Sequence, residues 1–210
     1  MSLPKEVNTL KCIKQTQDLI VSILIGNSWI VKSRGGNQSE LHFKLKDNKH
    51  FFLKKYLDSN QNTSVVIREV NIIDNIFAVE HSTVLERILR DWTNGNNVIA
   101  INPNNLSPAV FMLWICLFGE RFKSEAFLEN TSMSFNAAKT LCEYYPKYME
   151  SAYIVFANST FTIGALDEVF LYSIRNNRPS YETLELGTLL PHDGKLNELK
   201  RVAEGEILNA

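Results

Sequence analysis

The run from Ala109 to Phe118 constrains the fold most, because its ten consecutive residues carry no charge and are almost entirely apolar. It is far shorter than the roughly 20 residues needed to cross a bilayer. Ser107 and Pro108 precede it and form a favourable helix start, with a serine cap and proline at the first helical position. The sequence therefore predicts a central helix that is buried on all sides.

The amino-terminal part shows a different periodicity. Residues 8–25 have apolar side chains at helical spacing, and Gly26 with Asn27 is a plausible stop. Three short strand-like runs follow, at 29–34, 40–46 and 50–57, separated by spacers with turn chemistry. The pattern predicts a helix followed by a three-stranded antiparallel meander.

The middle strand of this meander alternates cleanly. Because side chains of a strand point to opposite sides in turn, its apolar residues share one face and its basic residues the other. The apolar set is Leu41, Phe43 and Leu45, and the opposite set is His42, Lys44 and Lys46. We expect the first set to face the core and the second to face water.

The remainder of the chain is predicted to be mainly helical, and no internal repeat is evident. The predicted helices cover 65–79, 82–92, 134–145, 147–156, 163–174 and 196–208. The fold class is α+β: an N-terminal helix and three-stranded antiparallel meander packed on a mainly helical C-terminal part. We expect a single domain over 1–210, with subregions 1–60 and 61–210.

The formal net charge of -1 gives no global field to attract nucleic acid. The charge is uneven, however: residues 1–60 hold ten Lys or Arg against five Asp or Glu. In the meander, lysines alternate with aromatic residues, as in many single-strand binders. A nucleic-acid-binding module that uses this basic meander is therefore one alternative. The other is that the basic and acidic regions complement each other within the fold.

Known catalytic and metal-binding motifs are absent from the sequence. The four histidines, His42, His50, His81 and His192, are not at zinc-ligand spacing, and no phosphate-binding glycine loop occurs. Cys116 lies among apolar residues that would raise the pKa of its thiol, which disfavours a nucleophile. We expect no catalytic residue, no metal and no cofactor, although an enzyme without a recognisable motif stays an alternative.

Three widely spaced cysteines favour a reducing, cytoplasmic compartment.

The predicted order of helix, three-stranded meander, helix and further helices resembles the small adaptors and chaperones of bacterial secretion systems. The chain length, near-neutral charge and asparagine-rich character are similar to the accessory adaptors of the Dot/Icm type IVB system. The resemblance implies a non-enzymatic, cytoplasmic subunit of a coupling complex. Its implied partners are IcmS, IcmW, the coupling ATPase and effector proteins, with no nucleic acid and no membrane insertion.

A partner-binding segment is predicted near the carboxyl end. Residues 181–190 have poor periodicity, so their leucines are candidates for contact with another protein. The alternative is that these leucines pack on the core. The candidates are Leu184, Leu186, Leu189 and Leu190.

Overall fold

The same order of elements occurs twice in the computed structural model, which describes residues 5–33, 36, 38–46, 49–60, 66–149, 152–175, 201 and 205. The first repeat comprises α1 (Lys5–Leu24), β1 (Ser28–Lys32), β2 (Ser39–Lys44), α2 (Lys49–Ser59), β3 (Ile67–Asn71), β4 (Ile76–Val79) and α3 (Thr83–Trp92). A connection follows, with β5 (Thr93–Asn94), β6 (Asn97–Val98) and the 3₁₀ turn Pro103–Asn105. The second repeat comprises α4 (Pro108–Phe118), β7 (Glu120–Phe122), β8 (Glu125–Glu129), α5 (Phe135–Tyr148), β9 (Ile154–Ala157), β10 (Thr160–Ile163) and α6 (Leu166–Arg175).

Each repeat builds one four-stranded sheet, and the strand order is equivalent in the two. The first sheet has the order β1-β2-β4-β3 and the second β7-β8-β10-β9, with every neighbouring pair antiparallel. Asn158 and Ser159, which join β9 to β10, both have positive φ, as a tight two-residue hairpin requires. The chain therefore contains a structural repeat that the sequence analysis did not find.

Helices α1 and α4 pack against each other at the centre of the molecule. All side chains from Val110 to Leu117 are buried, so the prediction of an all-round buried helix is confirmed. Edge-to-face ring pairs join α4 to the rest of its repeat: Phe111 with Tyr145 on α5 and Trp114 with Phe161 on β10, each at 5.0 Å between centroids. Within the described residues, no helix is both long enough and apolar enough to cross a bilayer.

Serine caps fix where three of the helices begin. Ser82, Ser107 and Ser134 each accept a hydrogen bond from the backbone amide three residues later, at 3.2 Å. Such a bond satisfies one of the amides that a helix start leaves unpaired. The predicted starts of α3, α4 and α5 are therefore confirmed.

The carboxyl ends of the two central helices are capped by side chains from the opposite repeat. Asn130, which follows β8, donates from Nδ2 to the carbonyl oxygens of Ile25 (2.7 Å) and Gly26 (3.1 Å). Lys49, at the start of α2, donates from Nζ to the carbonyl oxygen of Cys116 at 2.9 Å. Both caps are almost fully buried. Because a helix leaves its last carbonyls unpaired, each repeat completes a helix of the other.

The third strand of the predicted meander is wrong, because residues 50–57 belong to helix α2. Phe52, Leu53 and Tyr56 are buried together, whereas Phe51, which directly precedes them, is half-exposed. This spacing is that of one helix face. The aromatic residues of this short run have a high propensity for strands, which led to the wrong prediction. Packing of the segment against α4 stabilises the helix instead.

Two predicted helices are also wrong. Residues 67–79 form the β3–β4 hairpin, and residues 154–157 form β9. The α+β class is confirmed, but the expectation of a mainly helical C-terminal part has to be corrected, since that part contains a second four-stranded sheet. Its strands are three to five residues long, which is too short for periodicity to distinguish them from helix turns.

Gly26 lies just after the end of the first central helix, where the chain passes Phe118. A Cβ atom at position 26 would lie 2.4 Å from the Phe118 ring, so Gly26→Ala forces the ring or the helix to move. We expect a loss of about 1–3 kcal/mol in the free energy of unfolding, measured by chemical denaturation. Phe118→Leu removes the ring, so Gly26→Ala should reduce the free energy of unfolding clearly less when Phe118 is already leucine. Equal reductions with and without the Phe118→Leu change would contradict this account.

Candidate functional site

The outward side of the first sheet, called the first face, carries aromatic and charged side chains. The opposite side faces the core, where Leu41 and Phe43 are fully buried, so the core-facing set predicted for the middle strand is confirmed. The first face consists of Trp29, Val31, Glu40, His42, Lys44, Arg68, Ile76 and the buried Ala78. Lys44 and Arg68 are exposed cations on this surface.

A hydrogen-bonded network orders the first face. Glu40 Oε2 accepts from His42 Nε2 at 2.9 Å and from an Arg68 guanidinium nitrogen at 2.6 Å. The hydrogen bond from His42 is the largest cause that lowers the pKa of Glu40, and Arg68 adds to it against the opposing effect of burial. His42 was expected to be solvated but is only 8% exposed, because Glu40 and the Trp29 ring, 5.9 Å away, lie against it.

The outward side of the second sheet, called the second face, is acidic. Its members are Glu120, Phe122, Glu125, Phe127, Glu129, Val155, Thr160 and Thr162. Arg121 is the one basic residue in the four strands, and it pairs across the ladder with buried Ala126 on the inner side. There its guanidinium contacts Asp167 at 2.9 Å. The strands of the second face thus present three carboxylates and no cation of their own.

Lys46 joins the two faces. Its Nζ lies 2.7 Å from Glu120 Oε1 and 3.6 Å from Glu129 Oε2, so a residue that follows the first sheet contacts the second sheet. The hydrogen bond to Glu120 is the largest cause that raises the pKa of Lys46. The outward faces of the two sheets therefore lie side by side on one side of the molecule.

A pocket of about 460 Å³ opens where the two faces meet, beside the carboxyl end of α4. Its charged lining consists of Lys44, Lys46, Lys49, Glu120 and Glu129. Ammonium groups can bind a phosphate oxygen, and a carboxylate can accept a proton from water. Among the described residues, no three His, Cys, Asp or Glu side chains converge as a metal-holding group.

Two of the residues singled out from the sequence, Lys44 and Lys46, line this pocket, and the others are placed elsewhere or lie outside the described residues. The proposed partner-binding leucines, Leu184, Leu186, Leu189 and Leu190, and also His192, lie outside the described residues. The Cys116 side chain is buried in α4, where desolvation raises the pKa of its thiol to about 12. His50 lies against the Phe51 ring and His81 pairs with Glu86, so neither is placed at the pocket.

Sequence reasoning missed the second face, although a signal was present. Residues 125–129 alternate Glu, Ala, Phe, Leu and Glu, which is the period of a strand with one buried face. The run is only five residues long and follows the strongest helical segment of the chain. Lys49 was missed because a buried lysine that caps another helix leaves no local pattern.

Comparison with known proteins identifies the fold. No protein-family profile and no curated protein matches this sequence. The homing endonuclease I-WcaI bound to its DNA recognition sequence superposes with a TM-score of 0.56 at 13% identity, over 84% of this chain and 86% of that one. I-DmoI in complex with DNA and Ca (TM-score 0.47, 14% identity, 83% and 98% covered) and the LAGLIDADG meganuclease I-AabMI bound to uncleaved DNA (0.44, 9%, 90% and 98%) superpose more loosely. The I-WcaI superposition shows a shared fold.

This fold overturns the secretion-adaptor hypothesis. The resemblance to LvgA, the Dot/Icm accessory adaptor, depended on a helix followed by a three-stranded meander, and helix α2 takes the place of the third strand. The inferred partners IcmS, IcmW, coupling ATPase and effectors lose their support with it. The expectations of a protein with no enzymatic role and no nucleic-acid partner are also corrected, because the superposing structure is an endonuclease bound to DNA.

Proposed function

We propose that this protein binds double-stranded DNA, and that the first face is its principal contact surface. The observation that carries the proposal is the pair of equivalent antiparallel sheets whose outward faces lie side by side. The same fold is seen in an endonuclease bound to its DNA recognition sequence. The major groove of DNA admits a two-stranded antiparallel β-ribbon, so strands with an exposed face can contact base edges there.

The side chains of the first face suit this role. Arg68 and Lys44 are exposed and can neutralise phosphates, and the guanidinium of Arg68 is held by Glu40 in a defined orientation. Trp29 offers an apolar surface beside them. The chain as a whole has no strong positive charge, so we expect moderate affinity that depends on this local arrangement.

Removal of the two exposed cations should weaken DNA binding. We expect Lys44→Gln with Arg68→Gln to reduce affinity about 10-fold or more at low salt and to lower the slope of log K against log salt by about 2. Fluorescence anisotropy with a random-sequence pool of duplexes of about three helical turns would measure both quantities. Lys139→Gln with Arg90→Gln is the matched control, since it removes two exposed charges from helices outside the sheets.

The outcomes separate clearly. The proposal is supported if the native protein and the control variant bind duplex and the first-face variant does not. Absence of duplex binding by the native protein, or equal loss in both variants, contradicts it. Circular dichroism of each variant would establish that folding is retained.

Cleavage of a DNA strand is a second candidate function. It is favoured by the pocket, where Glu120 and Glu129 lie beside lysines and could accept a proton or position water next to a phosphate. Incubation with a supercoiled plasmid library, with and without divalent cations, would test it. Nicking that Glu129→Gln abolishes would support cleavage at this pocket, and nicking that the variant retains would exclude Glu129.

We also propose that the chain acts as a single domain in a reducing compartment. One continuous cluster of buried residues includes members of both repeats, which favours a single unit. The described cysteines, Cys116 and Cys142, are free thiols, as a cytoplasmic setting would keep them.

A further inference from the structure

The two outward faces are equivalent in topology but differ in charge. On the first face the cations Lys44 and Arg68 stand against Glu40, with Glu80 3.7 Å from Arg68. The strands of the second face carry Glu120, Glu125 and Glu129 and no outward basic residue, although Lys123 in the β7–β8 turn places its Nζ 5.4 Å from the centroid of the Phe122 ring. Lys46 balances Glu120 at 2.7 Å and lies near Glu129, but it comes from the first repeat. Glu125 accepts a hydrogen bond from the Tyr153 hydroxyl at 2.9 Å, and no cation is paired with it in the described residues.

This difference affects DNA binding directly. Nearly all sequence-independent affinity for DNA comes from cations that replace the counterions of its phosphates. A surface of carboxylates cannot replace those counterions, and it repels phosphates within about 10 Å at moderate salt. A duplex laid equally across both faces would therefore gain contacts on one sheet and be repelled by the other.

We infer that, beyond the pocket where the two faces meet, the second-face carboxylates keep the DNA backbone away from the second sheet, so that this protein engages DNA mainly through one of its two sheets. The inference rests on the proposed DNA binding, which it deepens. The two sheets therefore share a fold but have different roles. The inner side of the second sheet packs in the core, and the carboxylates on its outer side restrict contact with the DNA backbone.

Charge reversal tests this directly. Glu125→Lys with Glu129→Lys should tighten binding of the random duplex pool by roughly 10- to 100-fold and steepen the salt slope by about 2, because new phosphate contacts become available. Glu143→Lys with Asp91→Lys is the matched control: it makes the same change in net charge at exposed positions on α5 and α3, outside both sheets. An equal gain in the control would show a mere net-charge effect and overturn the inference.

Truncation provides a readout that does not depend on charge. Phe122 and Val155 are 61% and 53% exposed on the second face, so Phe122→Ala with Val155→Ala should leave the dissociation constant within about twofold. Trp29→Ala on the first face should weaken binding. Equal weakening by the two truncations would overturn the one-sided contact while leaving DNA binding established.

The remaining outcomes concern the proposed function, on which the inference rests. If the native protein fails to bind but the second-face lysine variant binds duplex, the proposed function is wrong and the one-sided engagement falls with it, because the native protein then engages DNA through neither sheet. If neither protein binds, both claims are overturned.

Discussion

Replacement of Trp114 by alanine is expected to lower the free energy of unfolding by about 3–5 kcal/mol. Trp114 is fully buried on α4, and its ring meets Phe161 edge-to-face with 5.0 Å between centroids. The variant loses both the burial of a large apolar surface and the contact that joins the central helix to the second sheet. Total stabilities are on the order of 5–15 kcal/mol, so a measurable unfolded population is expected. Guanidinium denaturation followed by circular dichroism measures the loss.

Trp29→Ala is the matched control for this prediction. Trp29 lies on the outward side of β1 and is only partly buried, so its removal leaves no enclosed cavity. We expect a stability loss below about 1 kcal/mol. Similar losses for the two tryptophan variants would show that α4 is not the centre of the core.

Replacement of Asn130 by alanine is expected to lower the free energy of unfolding by about 2–4 kcal/mol. The Asn130 amide donates to the carbonyls of Ile25 and Gly26, and its Oδ1 accepts from the backbone amide of Ser132 at 3.0 Å. The side chain is 1% exposed, so its truncation leaves buried polar groups without a partner. Each such group costs about 1–3 kcal/mol, which is more than the bond itself contributes. Thermal and chemical denaturation would both report the change.

Asn130→Asp tests which half of the amide matters. A carboxylate retains the acceptor for Ser132 but replaces the donor to Ile25 and Gly26 by an oxygen that those carbonyls repel. We therefore expect Asn130→Asp to be at least as destabilising as Asn130→Ala near neutral pH. A mild effect of the aspartate would mean that the cap on α1 contributes little.

Local sequence signals predicted the parts of the fold that local chemistry determines. The apolar run 109–118 could only be buried, and the serines before α3, α4 and α5 mark their starts because a cap acts within three residues. The alternation of Leu41 and Phe43 with Lys44 likewise follows from strand geometry alone.

The parts that failed depend on contacts between distant residues. Residues 50–57 are compatible with strand or helix, and packing of α2 against α4 selects the helix. The short strands of the second sheet are stabilised by their pairing, which no window of five residues encodes. Because of those two errors the repeat was not recognised, and the predicted element order resembled that of secretion adaptors.

The candidate site was predictable only in its basic half. Lys44 and Lys46 were recognised as one face of a strand, together with the possibility that they meet nucleic acid. Their acidic neighbours Glu120 and Glu129 are more than seventy positions away in the chain, so only the folded molecule shows the ion pairs. The equivalence of the two sheets, which carries the functional proposal, is a property of topology. The repeated pattern Leu-x-Gly at the ends of the two central helices, at 24–26 and 117–119, is too short to reveal it.

The central pairing of α1 with α4 has a consequence for synthesis of the chain. The buried apolar residues described in α1 run from Leu19 to Leu24, and their partner helix is complete only at Phe118. At ribosomal rates of about 5–20 residues per second, the apolar side of α1 emerges on the order of 5 to 20 seconds before the helix that covers it. During that interval the nascent chain exposes a surface that favours self-association, so its yield in the cell should depend on chaperones that bind early rather than after release.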